Sequence, residues 1–158
     1  MKSKILHLAD VGEVAEKFRA EGKRLVATNG CFDLLHVGHV RYLQAARDLG
    51  DALIVGVNGD ASVRELKGEG RPLNGEEARA EVLAALECVD WVAVFPELRA
   101  TDFLKLARPA IYIKGGDYKP ETLDAEERAV LSEIGAEIRL IPFEPGYSTS
   151  SLIARMSW

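Results

Sequence analysis

The chain lacks several features that would each define a class of protein. It has only two cysteines, Cys31 and Cys88, without CxxC spacing, which argues against a disulfide-stapled secreted domain and favours a reducing compartment. Its longest apolar run, residues 52–57, is far too short to span a bilayer. Asp10 and Glu13 interrupt the N-terminal apolar stretch before it qualifies as a signal peptide. We therefore expect a cytoplasmic protein without membrane insertion.

An excess of basic residues is also absent. Twenty Lys and Arg against 25 Asp and Glu give a net charge of −5, which argues against a general binder of nucleic acid or anionic membranes. A small anionic ligand stays compatible with this charge, because a protein with a negative net charge can still contain a local cationic pocket. The motifs GxxxxGK[ST], GxGxxG and GxSxG do not occur, which excludes a P-loop, a dinucleotide fingerprint and a hydrolase elbow. Any phosphate site must use another kind of loop.

Short apolar segments alternate with helical segments along the chain. With 158 residues, 47% apolar, the chain is long and apolar enough for one buried core. The pattern predicts strands at residues 24–28, 52–57, 91–95, 110–113 and 137–141, and helices at about 10–22, 38–49, 76–87, from 101, 121–134 and from 148. Such alternation implies parallel strands and right-handed crossovers. We predict an α/β fold, a Rossmann-like doubly wound parallel five-stranded sheet in a single domain over residues 1–158, with residues 1–23 as an N-terminal helical extension.

Two segments between the predicted strands carry more specific expectations. Residues 67–72, KGEGRP, are glycine-rich and charged without periodicity, which predicts a mobile loop. The helix over residues 76–87 is predicted to face the core with Ala78, Val82, Ala85 and Leu86.

Two of the three histidines, His36 and His39, lie in one segment, HVGH, between the first central strand and the next helix. Ligands of doubly wound sheets bind at the carboxyl ends of the strands, and a helix start attracts anions through unpaired N–H groups. Residues three apart project to nearly the same side of a helix. Both imidazoles could therefore touch one phosphate chain, with Gly38 allowing close backbone approach.

Other interpretations of the histidine pair stay open. The two side chains could ligate a metal if Cys31 and Asp33 completed the set, or they could simply cap and pack the helix. His7, alone near the N-terminus, is interpreted as an ordinary surface or core residue.

Residues 28–39, TNGCFDLLHVGH, resemble the signature of the HxGH nucleotidyltransferases, in their cytidylyltransferase-like subgroup. Matches in the same order follow over essentially the whole chain, at residues 57–60, Lys67, Arg71, Arg79, residues 89–90, 114–118 and 147–150. The segments KGGDYKPE, RPLN and ALECVDWV are most similar to the adenylyltransferase domain of bifunctional ADP-heptose synthases.

This resemblance implies a role for each matching residue. His36 and His39 would hold the β- and γ-phosphates, and Lys67 would be a mobile phosphate-binding lysine. The implied nucleotide-binding residues are Asn29, Gly30, Cys31, Phe32, Gly38, Arg79, Gly115, Asp117, Tyr118, Ser148 and Thr149. The implied acceptor-binding residues are Asp33, Asp60 and Arg71.

Several of these residues also have a simpler structural interpretation. Lys67 could be a solvated surface lysine, Asp33 and Asp60 could cap helices, and Arg79 could be architectural. Residues 115–117 would also suit a plain turn. The chain departs from the family pattern where Cys31 replaces a threonine, and where Phe143 and Glu144 stand near the place of an arginine.

The implied reaction transfers AMP from ATP to D-glycero-β-D-manno-heptose 1-phosphate and yields ADP-heptose and pyrophosphate. Mg²⁺ would arrive with the nucleotide, and no metal held by protein side chains is expected. The alternatives are a cytidylyltransferase using CTP and glycerol 3-phosphate or another polyol phosphate, and a non-catalytic nucleotide-binding protein. We expect a homodimer. A separate heptose kinase is expected to supply the acceptor, since 158 residues leave no room for the kinase domain of the bifunctional relatives.

Overall fold

A parallel sheet between two helical layers organises the protein in this computed structural model, which describes residues 4–116, 123–142 and 144–156. The strands are β1 Ile5–Leu6, β2 Leu25–Gly30, β3 Ala52–Asn58, β4 Trp91–Phe95, β5 Ile111–Gly115 and β6 Glu137–Ile141. The helices are α1 Val11–Ala20, α2 Val37–Arg47, α3 Asp60–Lys67, α4 Glu76–Ala84, α5 Thr101–Ala107, α6 Ala125–Glu133 and α7 Thr149–Met156, with a 3-10 helix at Leu8–Asp10. No helix in the described ranges has the length and apolar composition needed to cross a membrane.

The predicted doubly wound parallel α/β fold is confirmed, with one strand more than expected. The strand order is β1-β4-β3-β2-β5-β6, and all pairs are parallel. The additional strand, β1, pairs Ile5 with Val92 and Leu6 with Ala93 at the edge beside β4. Two residues are too few to produce a periodic signal, so the predicted five-stranded sheet is one strand short. The N-terminal segment thus contributes a strand as well as a helix.

Residues of alternate parity on each strand enter two different cores. One core joins the sheet to α1, α5 and α6, and the other joins it to α2 and α4. Every residue of β3 is buried, as expected of a central strand covered on both faces. Gly56 is required in this strand, because a Cβ there would lie 2.8 Å from the Phe103 ring.

Helix α3 was not predicted. It covers Asp60–Lys67, eight residues with only three apolar side chains, Ala61, Val63 and Leu66, which are too few to establish a repeat along the sequence. Lys67 is accordingly the last residue of a helix rather than part of the predicted loop. The glycine-rich segment begins after it, at Gly68, whose φ of +95° ends the helix.

The inward face predicted for α4 is wrong. Ala78, Val82 and Ala85 are exposed and Leu86 is only partly buried. The buried residues are Arg79, Ala80, Leu83 and Ala84. A buried arginine takes a core position of this helix, and a pattern search that assigns charged residues to solvent therefore places the face one position off.

The order in which the chain adds strands to the sheet reverses at β2. The chain runs from β2 through β3 to β4 on one side and continues through β5 to β6 on the other. Loops that leave neighbouring strands in opposite directions open a crevice at their carboxyl ends. The segments after β2, β3 and β5 are therefore placed to form a ligand site.

Candidate active site

A cleft of about 620 Å³ opens at the carboxyl edge of the sheet. It is lined by most of the residues predicted for the site, namely Asn29, Gly30, Cys31, Phe32, Asp33, His36, Gly38, His39, Lys67, Arg71, Gly115, Ser148 and Thr149. Arg79 and Asp60 do not line it. Asp117 and Tyr118 lie outside the described residues. The sequence therefore located the cleft, while the role of each residue in it stays a prediction.

The two histidines stand side by side at the start of α2. Their ring centroids are 3.9 Å apart, and the backbone N–H of His36 donates to Nδ1 of His39 at 3.3 Å. With Nδ1 accepting, neutral His39 carries its proton on Nε2, which is then a hydrogen-bond donor. Gly38 lies between them, and a Cβ there would approach the His36 ring to 2.9 Å. The paired rings therefore require glycine at this position.

Burial favours the uncharged form of both imidazoles. Desolvation lowers the pKa of His36 and lowers the pKa of His39 to about 4, where the neighbouring His36 adds to the effect. Nδ1 of His36 is buried and has no hydrogen-bond partner among the described residues. The arriving charge of a phosphate chain opposes both effects, because an anion favours the protonated imidazole. The two histidines therefore gain hydrogen-bond and charge interactions when an anion binds in the cleft.

The depressed pKa of His39 predicts an acid-dependent loss of stability. The folded-state pKa of about 4 lies below the ordinary 6.5, so the unfolded chain binds more protons between these values and stability falls as the pH drops through this window. We expect wild type to lose on the order of 1–2 kcal/mol more than His39→Gln between pH 7 and 4.5, after allowance for solvent screening. Urea unfolding at the two pH values measures the difference. His7→Gln, at an exposed histidine, is the control and should follow wild type. Parallel pH profiles for wild type and His39→Gln would contradict the prediction.

The loop from β2 into α2 is held in a specific backbone conformation. Phe32 has a φ of +49°, in the left-handed region that a bulky side chain rarely adopts. Its ring meets the edge of His39 at a centroid distance of 5.6 Å. Such strain persists only where the surroundings enforce it, and it is often found at functional sites.

Buried hydroxyl groups fix the floor of the cleft beneath this loop. The Thr28 hydroxyl donates to the carbonyl of Ile113 at 3.0 Å and is 2.7 Å from the hydroxyl of Tyr42. Burial raises the pKa of Tyr42 to about 12, so this group stays protonated. The hydroxyl of Tyr112 donates to Oδ1 of Asn29. These contacts tie β2, β5 and α2 together.

Asp33 holds the loop before α4 in place through hydrogen bonds. Its carboxylate accepts hydrogen bonds from the backbone N–H groups of Leu73 and Asn74 and from Nε of Arg71 at 2.8 Å. Burial alone would raise the pKa of Asp33, but the hydrogen bonds from Asn74, Leu73 and Arg71 outweigh it and hold this pKa below its usual range. Both oxygens are therefore engaged, and the predicted acceptor contact of Asp33 gains no support from this geometry.

Arg79 joins four segments from inside the protein. Its side chain is 1% exposed. Nη1 donates to the carbonyls of Cys31 and Asn58, both at 2.7 Å, Nε donates to the carbonyl of Asn74, and Nη2 pairs with Asp60 at 2.9 Å. Arg79 thus stabilises segments that form the walls of the cleft, without lining the cleft itself. The geometry assigns Asp60 a structural partner, and its acceptor role also stays an unsupported prediction.

Lys67 is an exposed cation of the cleft without an ion-pair partner within the described ranges. Cys31 faces the same space. Burial raises the pKa of the Cys31 thiol, although Lys67, Arg79 and Arg71 act in the opposite direction. Cys31 is therefore a thiol at neutral pH, which makes it a poor nucleophile.

The N-terminus of α7 approaches the histidines from a different part of the chain. The Thr149 hydroxyl donates to the carbonyl of Leu34 at 3.0 Å, which fixes α7 to the histidine loop. The Tyr147 ring stacks at 6.2 Å from His36, and Ser148 accepts from the N–H of Ser151. Hydroxyls and a helix start are suited to bind phosphate oxygens.

One wall of the cleft escaped the sequence analysis. It consists of Asn58, Leu98, Arg99, Leu123, Asp124 and Glu127, and we call it the α6 wall. Asp124 is the N-cap of α6, a role that its position before a charged helix could have indicated. Asn58 lies within the matching residues 57–60 but was assigned no role. The remaining members come from the loop after β4 and from the region of α6, which meet only in the folded protein. Tyr42, Leu66, Lys114, Glu144 and Ser150 also line the cleft.

A metal site built on the histidine pair lacks its ligands in the described part of the chain. No group of three or more His, Cys, Asp or Glu residues comes close enough there to hold a metal ion. Asp33, which would have to join such a set, is committed to Arg71 and the loop beside it.

Comparison with known proteins agrees with this geometry. The cytidylyltransferase-like family model matches residues 27–155. The Bifunctional protein HldE of Geobacter sulfurreducens is 48% identical over 98% of this chain and 31% of its own length, and that of Pelobacter propionicus is 49% identical over the same shares. The chain thus spans about a third of these curated relatives.

Two solved structures share the fold. A lipopolysaccharide core biosynthesis protein from Thermoplasma volcanium is similar with a TM-score of 0.64 and 27% identity, over 78% of this chain and 98% of that one. A pantoate-beta-alanine ligase from Francisella tularensis has a TM-score of 0.61 at 14% identity, over 92% of this chain and 68% of that one, which supports the fold alone. With its sequence matched over residues 27–155 and its histidine pair at a doubly wound sheet edge, the chain belongs to the cytidylyltransferase-like family and is a nucleotidyltransferase.

Proposed function

We propose that this nucleotidyltransferase transfers AMP from ATP to D-glycero-β-D-manno-heptose 1-phosphate and releases pyrophosphate and ADP-heptose. The near 50% identity to proteins named Bifunctional protein HldE, over almost the whole chain, supports this branch of the family. The observation that carries the chemistry is the pair of imidazoles 3.9 Å apart in one cleft with the N-terminus of α7.

In the proposed reaction a phosphate oxygen of the acceptor attacks the α-phosphorus of ATP in line. A new P–O bond forms, the bond from the α-phosphorus to the bridging oxygen breaks, and pyrophosphate leaves with the electron pair. The protein needs mainly to position the groups and stabilise charge. His36 and His39 would donate to oxygens of the departing phosphates, which gain negative charge in the transition state. Lys67 and the start of α7 would neutralise the same chain.

We further propose that Mg²⁺ enters as the counter-ion of the triphosphate. The described residues provide no carboxylate cage for a resident ion, and Mg²⁺ commonly keeps several waters and binds substrate phosphates. Bound in this way, it would shield the charge of the triphosphate.

A substrate matrix tests the assignment. Pyrophosphate release is measured for ATP and CTP, each with heptose 1-phosphate and glycerol 3-phosphate. We expect the pair of ATP and heptose 1-phosphate to be the fastest by a wide margin. Faster turnover of CTP with glycerol 3-phosphate, the alternative favoured by the family description, would reject the branch. Nucleotide binding without pyrophosphate release from any pair would indicate a non-catalytic nucleotide-binding protein.

Replacing Lys67 by alanine should weaken the use of ATP and leave the fold intact. Loss of a charged contact to phosphate in a partly desolvated cleft should raise the KM for ATP roughly tenfold or more. The midpoint of urea unfolding should stay almost unchanged, because an exposed side chain contributes little to stability. Lys105→Ala, at an exposed lysine on α5, is the control. An unaltered KM for ATP would return Lys67 to the interpretation as a solvated surface residue.

Two proposals concern partners. We propose a homodimer, which sedimentation equilibrium tests directly. We also propose that a separate heptose kinase forms the acceptor, which requires that the chain alone convert heptose 1-phosphate but not heptose 7-phosphate or free heptose.

A further inference from the structure

Four aromatic rings form a continuous row at the histidine end of the cleft. The Phe32 ring meets the edge of His39 at 5.6 Å, and His39 lies 3.9 Å from His36. The Tyr147 ring completes the row, stacked on His36 at 6.2 Å with an interplanar angle of 21°. Three of the rings come from the loop after β2 and the start of α2, whereas Tyr147 comes from the segment before α7. A distant part of the chain therefore contributes to the surroundings of the first histidine.

The orientation of the His36 ring is not fixed by a hydrogen bond at its buried nitrogen. Nδ1 of His36 has no hydrogen-bond partner within the described ranges. A histidine that acts on a ligand through one ring nitrogen is commonly oriented by a hydrogen bond at the other. For His36, contacts of the ring with its neighbours must take over this task.

Tyr147 and His36 pack together against the first turn of α2. A Cβ at Gly38 would lie 2.9 Å from the His36 ring and 3.1 Å from Cβ of Tyr147. The two side chains thus fill the space that a side chain at Gly38 would need. Only glycine at this position allows the tyrosine and the imidazole to approach the helix at the same time.

The segment that carries Tyr147 is anchored on both sides of the histidine pair. Ahead of the pair, the Thr149 hydroxyl donates to the carbonyl of Leu34 at 3.0 Å, across 115 positions of the chain. Beyond the pair, Nη1 of Arg41 is 3.3 Å from Oε2 of Glu144. The N–H of Tyr147 donates to the carbonyl of Glu144 at 3.4 Å and closes a turn between the two anchors. The tyrosine ring is therefore held in place independently of its contact with the imidazole.

We propose that Tyr147 is a positioning residue for His36, whose ring holds the imidazole in the orientation that meets the departing phosphates. This inference rests on the proposed function for the chemistry at His36. A donor that is oriented in advance needs no reorganisation when charge develops, so the effect of Tyr147 falls on the chemical step. Because Tyr147 shortly precedes α7, the same contact fixes the start of this helix relative to the histidines.

A double-mutant cycle tests the assignment. The single-turnover rate of pyrophosphate release is measured at saturating nucleotide for wild type, Tyr147→Ala, His36→Ala and the double variant. We expect Tyr147→Ala to lower the rate roughly tenfold in wild type and less than about twofold in the His36→Ala background, because the tyrosine acts through the histidine. Tyr147→Phe keeps the stacked ring and should stay within about twofold of wild type.

Controls distinguish positioning from packing and from direct contact with substrate. Met156→Ala removes a similarly exposed apolar side chain of α7 outside the cleft lining and should retain the wild-type rate. Tyr147→Leu keeps apolar bulk beside Gly38 without a flat ring, should also be slowed, and decides the question if Tyr147→Ala unfolds. An unchanged rate in the tested variant would overturn the inference. A loss that persists in full in the His36→Ala background would also overturn it, since Tyr147 would then contact the substrate directly.

An NMR titration of the His36 ring tests the inference without substrate. Desolvation lowers the pKa of His36, so removal of the stacked ring should raise this pKa toward its ordinary value in Tyr147→Ala but not in Tyr147→Phe. The other ionisable groups on the segments around the ring are His39 and the arginine-paired Asp33 and Glu144, which no variant alters. The same pKa in all three proteins would overturn the inference.

The two experiments separate this inference from the proposed function. If another nucleotide and acceptor are converted faster, the proposed function fails, and the cycle is measured with that pair because pyrophosphate leaves in either case. If no pair is converted, the titration alone decides whether Tyr147 controls the surroundings of His36.

Discussion

Alanine at His36 or at His39 should each lower the single-turnover rate of pyrophosphate release by about 10²–10³-fold, the usual effect of removing one donor to a developing negative charge. The loss should fall on the chemical step more than on nucleotide binding, because the interaction strengthens as charge builds on the departing phosphates. Rapid-quench measurements at saturating nucleotide isolate this step. With ring centroids 3.9 Å apart, both imidazoles would act on one phosphate chain in the proposed reaction. The double variant should therefore lose less than the product of the single effects.

Controls separate this role from a metal site and from a packing role. His7→Ala alters an exposed histidine outside the cleft lining and should retain the wild-type rate. Both cleft variants should stay folded, because His36 and His39 are only partly buried and line the cleft. Elemental analysis of the purified protein tests the metal interpretation. Stoichiometric zinc in wild type together with near-normal rates in either variant would reject the phosphate role.

Removal of the Arg79 side chain should lower the free energy of unfolding by about 3 kcal/mol, since it leaves buried carbonyls without donors and Asp60 without its partner. The carbonyls of Cys31, Asn58 and Asn74 all lose a hydrogen bond of 2.9 Å or less. The cost stays below that of a fully buried ion pair, because the Asp60 side chain is 41% exposed and can be hydrated. Urea denaturation of Arg79→Ala measures the loss.

Two further variants make the Arg79 prediction specific. Arg79→Lys should also be destabilised, because one ammonium group cannot reach acceptors in four segments with the geometry of a guanidinium. Arg64→Ala, at an exposed arginine on α3, should change stability by less than about 0.5 kcal/mol. Native stability of Arg79→Ala combined with lost nucleotide binding would instead show that Arg79 contacts the substrate.

Features that depend on neighbouring residues were read directly from the sequence. The strands at Trp91–Phe95 and Glu137–Ile141 have the predicted bounds, because turn residues flank short apolar or alternating runs. The fully buried β3 appears as a continuous apolar run. The HVGH segment lies at the start of α2, and its His36, Gly38 and His39 line the cleft, since a histidine pair spaced by three at a helix start is a local pattern.

Features that depend on distant residues were decided only by the tertiary structure. The pairing of β1 with β4, the engagement of Asp33 by Arg71, and the α6 wall each join segments far apart along the chain. Arg79 shows the physical reason most clearly. Its carbonyl partner at Cys31 is 48 positions away, and this contact makes an arginine a core residue of α4. The sequence by itself determined the place of the histidine pair and the order of the elements apart from β1 and α3, because these features follow from local periodicity and helix starts. Long-range contacts decide which charged side chains face the ligand and which ones hold the loops together, and no local pattern encodes these contacts.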